Sequence, residues 1–438
     1  MDRFHPISRI PTELVELIFL SAVHITQEEL WNDDKVPLLE VTISHVCSRW
    51  RHVALRCRKL WKSFANGPSR IARNTVERFE IYAQRSGSEA LQIRLRLFDI
   101  FAYEPRHIIA RKMVRKAIAH VERWQHVKIE MADKLSELRE HRRLLHNREA
   151  PFLEYIHLGF SPLYEESPLD LEDLEPQILT VGCPNLVHLN LDNAGAAILL
   201  PPLQHLTSLD LTVIGDGCMC IPWMTFLVIT KLPLTLLSVM DPAIMPPDDT
   251  WTEPVEMENL RHLRWKNIHI GPFRIGELEP LKSLFQNLRA PTLEALTLEH
   301  IDLSVIHQVP PLPNLRTVYF IDSPRFTTEL GTRLATSCPD LATVVVLPEF
   351  SDSEPDPAPI EPWFSLIRCK AQVKEPSPRG LTLKIPSRIQ LSWARSALSQ
   401  VHTLPELQQL INIVPVNHTN DYPRWPPSSH ISIPSYML

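Results

Sequence analysis

Glycine is scarce in this chain, 11 residues in 438. No glycine-rich loop that could cradle a phosphate is present, and neither a G-x-S-x-G elbow nor an H-E-x-x-H motif occurs. Catalysis needs a nucleophile with its base, a carboxylate pair or a metal set. None is legible, so the chain is read as a non-enzyme, with no catalytic, cofactor or metal residue assigned. Cysteine is also sparse, seven residues, and Cys218 and Cys220 form a lone C-x-C with no second pair downstream. Such usage fits reduced thiols. Long apolar runs are missing too: nothing approaches the roughly 18 consecutive residues of a membrane span, and MDRFHPISRI holds no signal-peptide core. The expectation is a protein of the cytoplasm, the nucleus or both, with no membrane partner. Excess positive charge is absent overall, the net charge being -6, which argues against a nucleic-acid partner. Locally, residues 106–148 carry twelve Lys or Arg against five Asp or Glu. Without interleaved aromatics that surplus reads as a solvated helix face.

Proline is what the chain has in excess: 40 residues, about 9% where roughly 5% is usual. Many of them punctuate a repeat. Eight segments share the form L-x-x-apolar-x-apolar, with first leucines at Leu153, Leu186, Leu206, Leu234, Leu260, Leu293, Leu315 and Leu341. The steps between them are 33, 20, 28, 26, 33, 22 and 26 residues, about 27 on average, the period of leucine-rich repeats. Five carry Pro two places before the leucine: Pro151, Pro184, Pro291, Pro313 and Pro339. Proline there ends a preceding helix and is tolerated where the strand has not yet joined its ladder. Helices are expected between strands in LEDLEPQILTVG, GELEPLKSLFQNLR and FTTELGTRLATS. The ninth position, Asn or Cys in regular repeats, holds Ser161, Ala194, Ile214, Ile268, Ile301, Ser323 and Glu349 in seven of them, so the turns must be satisfied in some other way. LQIRLRLF and WQHVKIEM read as strands before the first repeat, GLTLKI as one after the last, and LPELQQLINIV as a helix.

The front of the chain is different. In Pro11 to Ala22, Leu14, Leu17, Ile18 and Ser21 or Ala22 fall at helical spacing. A second stripe, Leu39, Ile43, Val46, Cys47, Trp50, Val53 and Ala54, predicts a second helix. Two such stripes must be buried against each other or against a partner.

These residues resemble an F-box in the form abundant in fungal proteins. The matching positions are Ile7, Ser8, Arg9, Ile10, Pro11, Glu13, Leu14, Ile18 and Phe19, then Val46, Cys47, Trp50, Arg51, Ala54, Leu60 and Trp61. Ile10 stands where Leu is usual, and residues 24–37 lengthen the loop between the helices. The resemblance implies docking on the Skp-family adaptor of a cullin-RING ubiquitin ligase, with Ile10, Pro11, Leu14, Ile18, Val46, Cys47, Trp50 and Trp61 as adaptor-binding residues.

The expected fold class is α/β: a helical F-box domain (1–64), a connector and first strand (65–104), an irregular leucine-rich-repeat solenoid with a parallel sheet (105–350), and an acidic, Pro-rich linker with a C-terminal cap or tail (351–438). In each strand the third and fifth template positions point away from the core. That ribbon is expected to meet a protein client through Tyr155, His157, His188, Asn190, Asp210, His262, Arg264, Thr317 and Tyr319. The function expected is a substrate receptor for ubiquitin-dependent degradation; the alternative is a repeat scaffold unconnected to ubiquitin.

Overall fold

The computed structural model describes residues 10–30, 38–66, 74–97, 104–133, 135–162, 174–192, 195, 198–212, 220–241, 243–245, 247, 251–267, 279–323, 325–347, 365–366, 369–370, 381–385 and 411–415. The chain is mixed α/β and divides into two compact units. Of the described residues, unit 1 takes 10–162 and 175–205, and unit 2 takes 174 and 206–415.

Unit 1 opens with α1 (Thr12–Leu30), α2 (Leu39–Val46), α3 (Ser48–Arg56) and a 3-10 turn (Arg58–Trp61). There follow β1 (Ser63–Asn66), α4 (Thr75–Arg85), β2 (Leu91–Leu97), α5 (Glu104–Ile118), β3 (Trp124–Asp133), α6 (Leu135–Leu145), β4 (Tyr155–Pro162) and β5 (His188–Asp192). The strands lie side by side in chain order, and each pairing is parallel.

Unit 2 contains β6 (Ser208–Thr212), α7 (Trp223–Thr230), β7 (Leu236–Asp241), β8 (Val255–Glu256), β9 (His262–Asn267), α8 (Glu279–Asn287), β10 (Leu288–Arg289) and β11 (Ala295–Glu299). It continues with β12 (Thr317–Ile321), α9 (Thr328–Ser337), β13 (Thr343–Leu347), β14 (Leu381–Ile385) and β15 (Ile411–Pro415). Its sheet runs β6-β7-β9-β11-β12-β13-β14-β15, again parallel, while β8 and β10 form a separate parallel pair.

All eight template segments are strands, and each strand begins at the template's third residue. The first, fourth and sixth template residues are buried throughout, except Val346, which is half-buried. Those leucines and their apolar companions are therefore the core of each unit.

The prolines have a more specific task than ending helices. In each of the five Pro repeats the template leucine donates its N–H to the carbonyl of the residue before the proline: Leu153 to Ala150 at 3.2 Å, Leu186 to Cys183 at 3.1 Å, Leu293 to Ala290 at 3.2 Å, Leu315 to Leu312 at 3.2 Å and Leu341 to Cys338 at 3.1 Å. This is a four-residue turn with proline second, where its fixed φ is already right. The residue after the proline then reaches back one repeat. Asn185 Nδ2 donates to the Pro151 carbonyl at 2.5 Å, Thr292 Oγ1 to that of Glu258 at 2.6 Å, and Asn314 Nδ2 to that of Pro291 at 2.7 Å. One ninth-position residue does bond its turn: Ser323 Oγ donates to Leu298 O at 3.0 Å and accepts from Ile301 N at 3.2 Å.

Several local expectations are corrected. The second helix is two, because Cys47 is extended (φ -156, ψ 170) and its Sγ accepts the Trp50 N–H at 3.4 Å as the cap of α3. No helix occupies residues 174–182, where Pro176 interrupts the segment and Leu179 has φ 53. Residues 411–414 of LPELQQLINIV, with Pro415, form strand β15 rather than helix, paired with β14; residues 404–410 lie outside the described set. Helix α7 went unforeseen because WMTFLVIT carries no charged residue to mark a polar side. Besides Gly87, left-handed backbone falls to Leu179, His300, Asp322 and Arg325, and the His300 and Asp322 side chains bond to each other at 2.8 Å.

The N-terminal helices are built into unit 1. Trp61 is buried, donates from Nε1 to the Ala54 carbonyl at 2.8 Å, meets Tyr82 edge-on at 5.2 Å, and lies 4.3 Å under the Arg85 guanidinium. The Tyr82 hydroxyl donates to the Glu40 carboxylate, and Phe64 packs on Phe79 and Tyr82. Burial, then the Glu40 charge, hold the Tyr82 phenol far above its usual range. A fragment ending at residue 64 strands Trp61 and Phe64, and is expected to show no cooperative thermal unfolding by circular dichroism, whereas residues 1–205 unfold cooperatively. Asn314→Ala is expected to cost about 1 kcal/mol in urea unfolding, the worth of one hydrogen bond.

Candidate functional site

Helix α1 is apolar on two sides. Val15, Phe19 and Val23, at i, i+4 and i+8, are buried, and Phe19 meets Trp50 at 5.0 Å. On the other side Leu14, Leu17 and Ile18 stay 50%, 57% and 53% exposed. The inward stripe is therefore one residue out of phase with the expected one, and the expected stripe faces water. At the corner between α2 and α3, Val46 is 58% exposed and Cys47 is open to solvent. The Arg49 guanidinium donates to the Ile10 carbonyl, which ties the start of α1 to the start of α3. Pro11 is exposed, while Ile10 and Trp50 are half-buried. Of the eight residues expected to bind the adaptor, Trp61 alone is fully withdrawn into the core, so its part is to hold the helices rather than to touch a partner.

Leu14, Leu17 and Ile18 are neighbours on one helix face. Contiguous exposed apolar surface of this kind marks interaction sites in soluble proteins. Covering what each leaves exposed is worth on the order of 1 kcal/mol.

The ribbon expected to meet a client lies differently. Tyr155, His157, His188 and Asn190 are 1%, 5%, 1% and 8% exposed. Asp210, His262, Arg264, Thr317 and Tyr319 are half-buried. A parallel sheet is commonly covered on both faces, and at β4 and β5 both faces are withdrawn from water. The template assigned one face to solvent because it alternates by two, but alternation separates the two faces without saying whether the second is open.

Register explains how these polar groups meet. Gln92, His126, Tyr155 and His188 form one row across β2 to β5, and Arg94, Lys128, His157 and Asn190 the next. The Tyr155 and His188 rings lie 5.0 Å apart. Glu130 Oε1 lies 3.5 Å from Lys128 Nζ and 3.6 Å from His157 Nε2, and His126 Nε2 lies 3.2 Å from Glu154 Oε2. Burial pushes His157 well below the usual histidine value, aided by the positive charge of Lys128, and pushes His188 down to about 3. Both are neutral at pH 7.

In unit 2 the row Asp241, Asn267 stands beside a charged cluster at the end of β9 and β11. Arg264 bonds Glu299 Oε2 at 2.5 and 3.1 Å, and Lys266 Nζ reaches Glu299 Oε1 at 2.7 Å. Burial would raise the Glu299 carboxyl, but the two cations outweigh it and hold it below its usual range. Burial pushes Asp241 up to about 6. Sequence reasoning missed this cluster because Lys266 and Glu299 lie outside the template positions it tracked.

Among the described residues no group of three His, Cys, Asp or Glu is arranged to hold a metal ion. Burial pushes the Cys183 and Cys338 thiols up to about 12, which leaves them unreactive at neutral pH. No described helix is long and apolar enough to cross a membrane.

A pH prediction follows from His188. Its folded value of about 3 lies below the ordinary 6.5, so the unfolded chain takes up the proton first as pH falls. Its contribution is complete above about pH 6.5 and is lost progressively towards pH 3. His188→Phe is expected to flatten the pH dependence of urea unfolding relative to the native chain within that window; an unchanged slope would place the His188 proton elsewhere. No protein-family model matches the chain, and no curated protein matches it.

Proposed function

We propose that this protein is a substrate receptor of a cullin-RING ubiquitin ligase. Its α1 to α3 form an F-box that docks on the Skp-family adaptor, and its strands form an irregular leucine-rich-repeat solenoid that holds a protein client, in the cytoplasm or the nucleus. The observation that carries this is the exposed apolar face at Leu14, Leu17, Ile18 and Val46. It lies on the residues that resemble the F-box pattern, beside Pro11 and Cys47, and is backed by a second apolar face that is already satisfied. Support for the repeat portion comes from the proline turn and the back-reaching Asn or Thr, which recur at repeat spacing. The chain supplies proximity, raising the client's effective concentration near ubiquitin transfer performed by other subunits. For the client, Asp210, His262, Arg264, Thr317 and Tyr319 stay partly open to solvent, whereas Tyr155, His157, His188 and Asn190 act as internal structure.

Co-expression with the adaptor tests this. The native chain is expected to co-purify with it, and Leu14→Glu with Ile18→Glu to abolish capture while changing stability by no more than about 0.5 kcal/mol, as exposed substitutions do. Phe19→Ala, by contrast, is expected to cost about 3 to 5 kcal/mol and to lose capture through unfolding. Failure of the folded native chain to capture adaptor would sink the ligase assignment and leave a repeat scaffold that binds its partner without ubiquitin.

A further inference from the structure

Helices α5 and α6 are joined through Glu137, which lies 3.1 Å from Arg111 Nη1 and 3.8 Å from Arg115 Nη2. On these two helices, and at Arg148 just after them, Lys112, Arg115, Arg139, Arg142, Arg143 and Arg148 are exposed. Arg115 is matched by Glu137 and Arg143 by Glu140. Arg139, Arg142 and Arg148 form no ion pair with any described residue, and Lys112 acts only at longer range on Glu80, which Lys116 holds at 2.5 Å. Several of these cations repeat at i, i+4: Arg111 with Arg115, Lys112 with Lys116, Arg139 with Arg143. Like charges so placed work against a helix, and they are gathered here on a chain whose net charge is -6. Beside them Ile108, one turn before Lys112, is 67% exposed.

We propose that the paired surface of α5 and α6 is a docking site for an acidic polypeptide segment that also carries an apolar side chain for Ile108. It rests on the client-binding half of the proposed function and names the chemical class of that client. Three features favour a polypeptide over other polyanions. Neither helix contains Phe, Trp or Tyr, so unpaired bases have nothing to stack on. Of the other described apolar residues of α5, Ile109 is half-buried and Ala110, Met113, Val114, Ala117 and Ile118 are buried, which leaves too little apolar face to lie in a bilayer. Glu137 and Glu140 sit among the cations, so the surface alternates in a way that suits separate side-chain carboxylates better than a continuous phosphate backbone. Arginine-rich surface is common at protein interfaces.

The test uses the full chain and a fluorescent twelve-residue peptide of glutamate and leucine, followed by anisotropy. Binding is expected at low salt, with loss as salt rises. K112E/R139E/R142E is expected to weaken it about tenfold or more, with thermal unfolding not lowered, because all three side chains are exposed and two of the changes replace like-charge i, i+4 pairs by opposite-charge ones. Ile108→Ser is expected to weaken it less, with the salt dependence retained. Absence of peptide binding by the native chain, equal binding by the triple variant, or tighter binding of a twelve-nucleotide single strand or of phosphatidylserine vesicles would each overturn the assignment. The measurement involves no adaptor, so its failure is distinct from failure of adaptor docking, which co-purification reads separately.

Discussion

The structure depends on a turn at the mouth of six of its strands, β4, β5, β9, β11, β12 and β13. The N–H of the template leucine is spent inside that turn, and in the next residues the chain bonds sideways to its neighbour. There a single carbonyl accepts two successive N–H groups: Glu154 from Val187 and His188, Arg261 from Glu294 and Ala295, Glu294 from Arg316 and Thr317, Arg316 from Ala342 and Thr343. The fork fixes the register of each strand on the one before it, and register in turn decides which leucines face inward. Proline suits the turn because it has no N–H to leave unsatisfied. Proline thus supplies the fixed negative φ of these turns, while left-handed positions elsewhere fall mostly to residues other than glycine.

On that frame the N-terminal helices are placed rather than tethered. Trp61, Tyr82, Glu40 and Phe64 join them to α4 and β1 by ring packing and buried hydrogen bonds. The consequence is that Val15, Phe19 and Val23 are used up within the protein, and the exposed Leu14, Leu17 and Ile18 are left for something else. A helix apolar on two sides is stable in water only if one side has a partner inside the fold, and here one does.

Much of this was legible in the residues. The eight strand starts, the parallel sheet, and helices α8 and α9 follow from leucine spacing and alternation, since those patterns report local backbone geometry. Polar rows were harder to read. His157 and His188 look like surface residues because they alternate with leucines, yet register stacks them against Lys128, Tyr155 and each other's strands. The same holds for Glu299, whose two cations come from β9, more than thirty residues earlier. Cys47 was read as part of one apolar stripe, and only its extended backbone reveals the break between α2 and α3.

The order of amino acids by itself determined which residues start strands, where prolines turn the chain, and which leucines face inward within each unit, because each is a short-range consequence of φ, N–H and side-chain period. It also marked Pro11, Leu14, Ile18, Val46 and Cys47 as a set. Tertiary structure alone decided the phase, meaning which side of α1 is buried and whether the second face of the sheet meets water. Those outcomes turn on contacts between residues distant along the chain, and no local pattern encodes the presence of the neighbour that covers them.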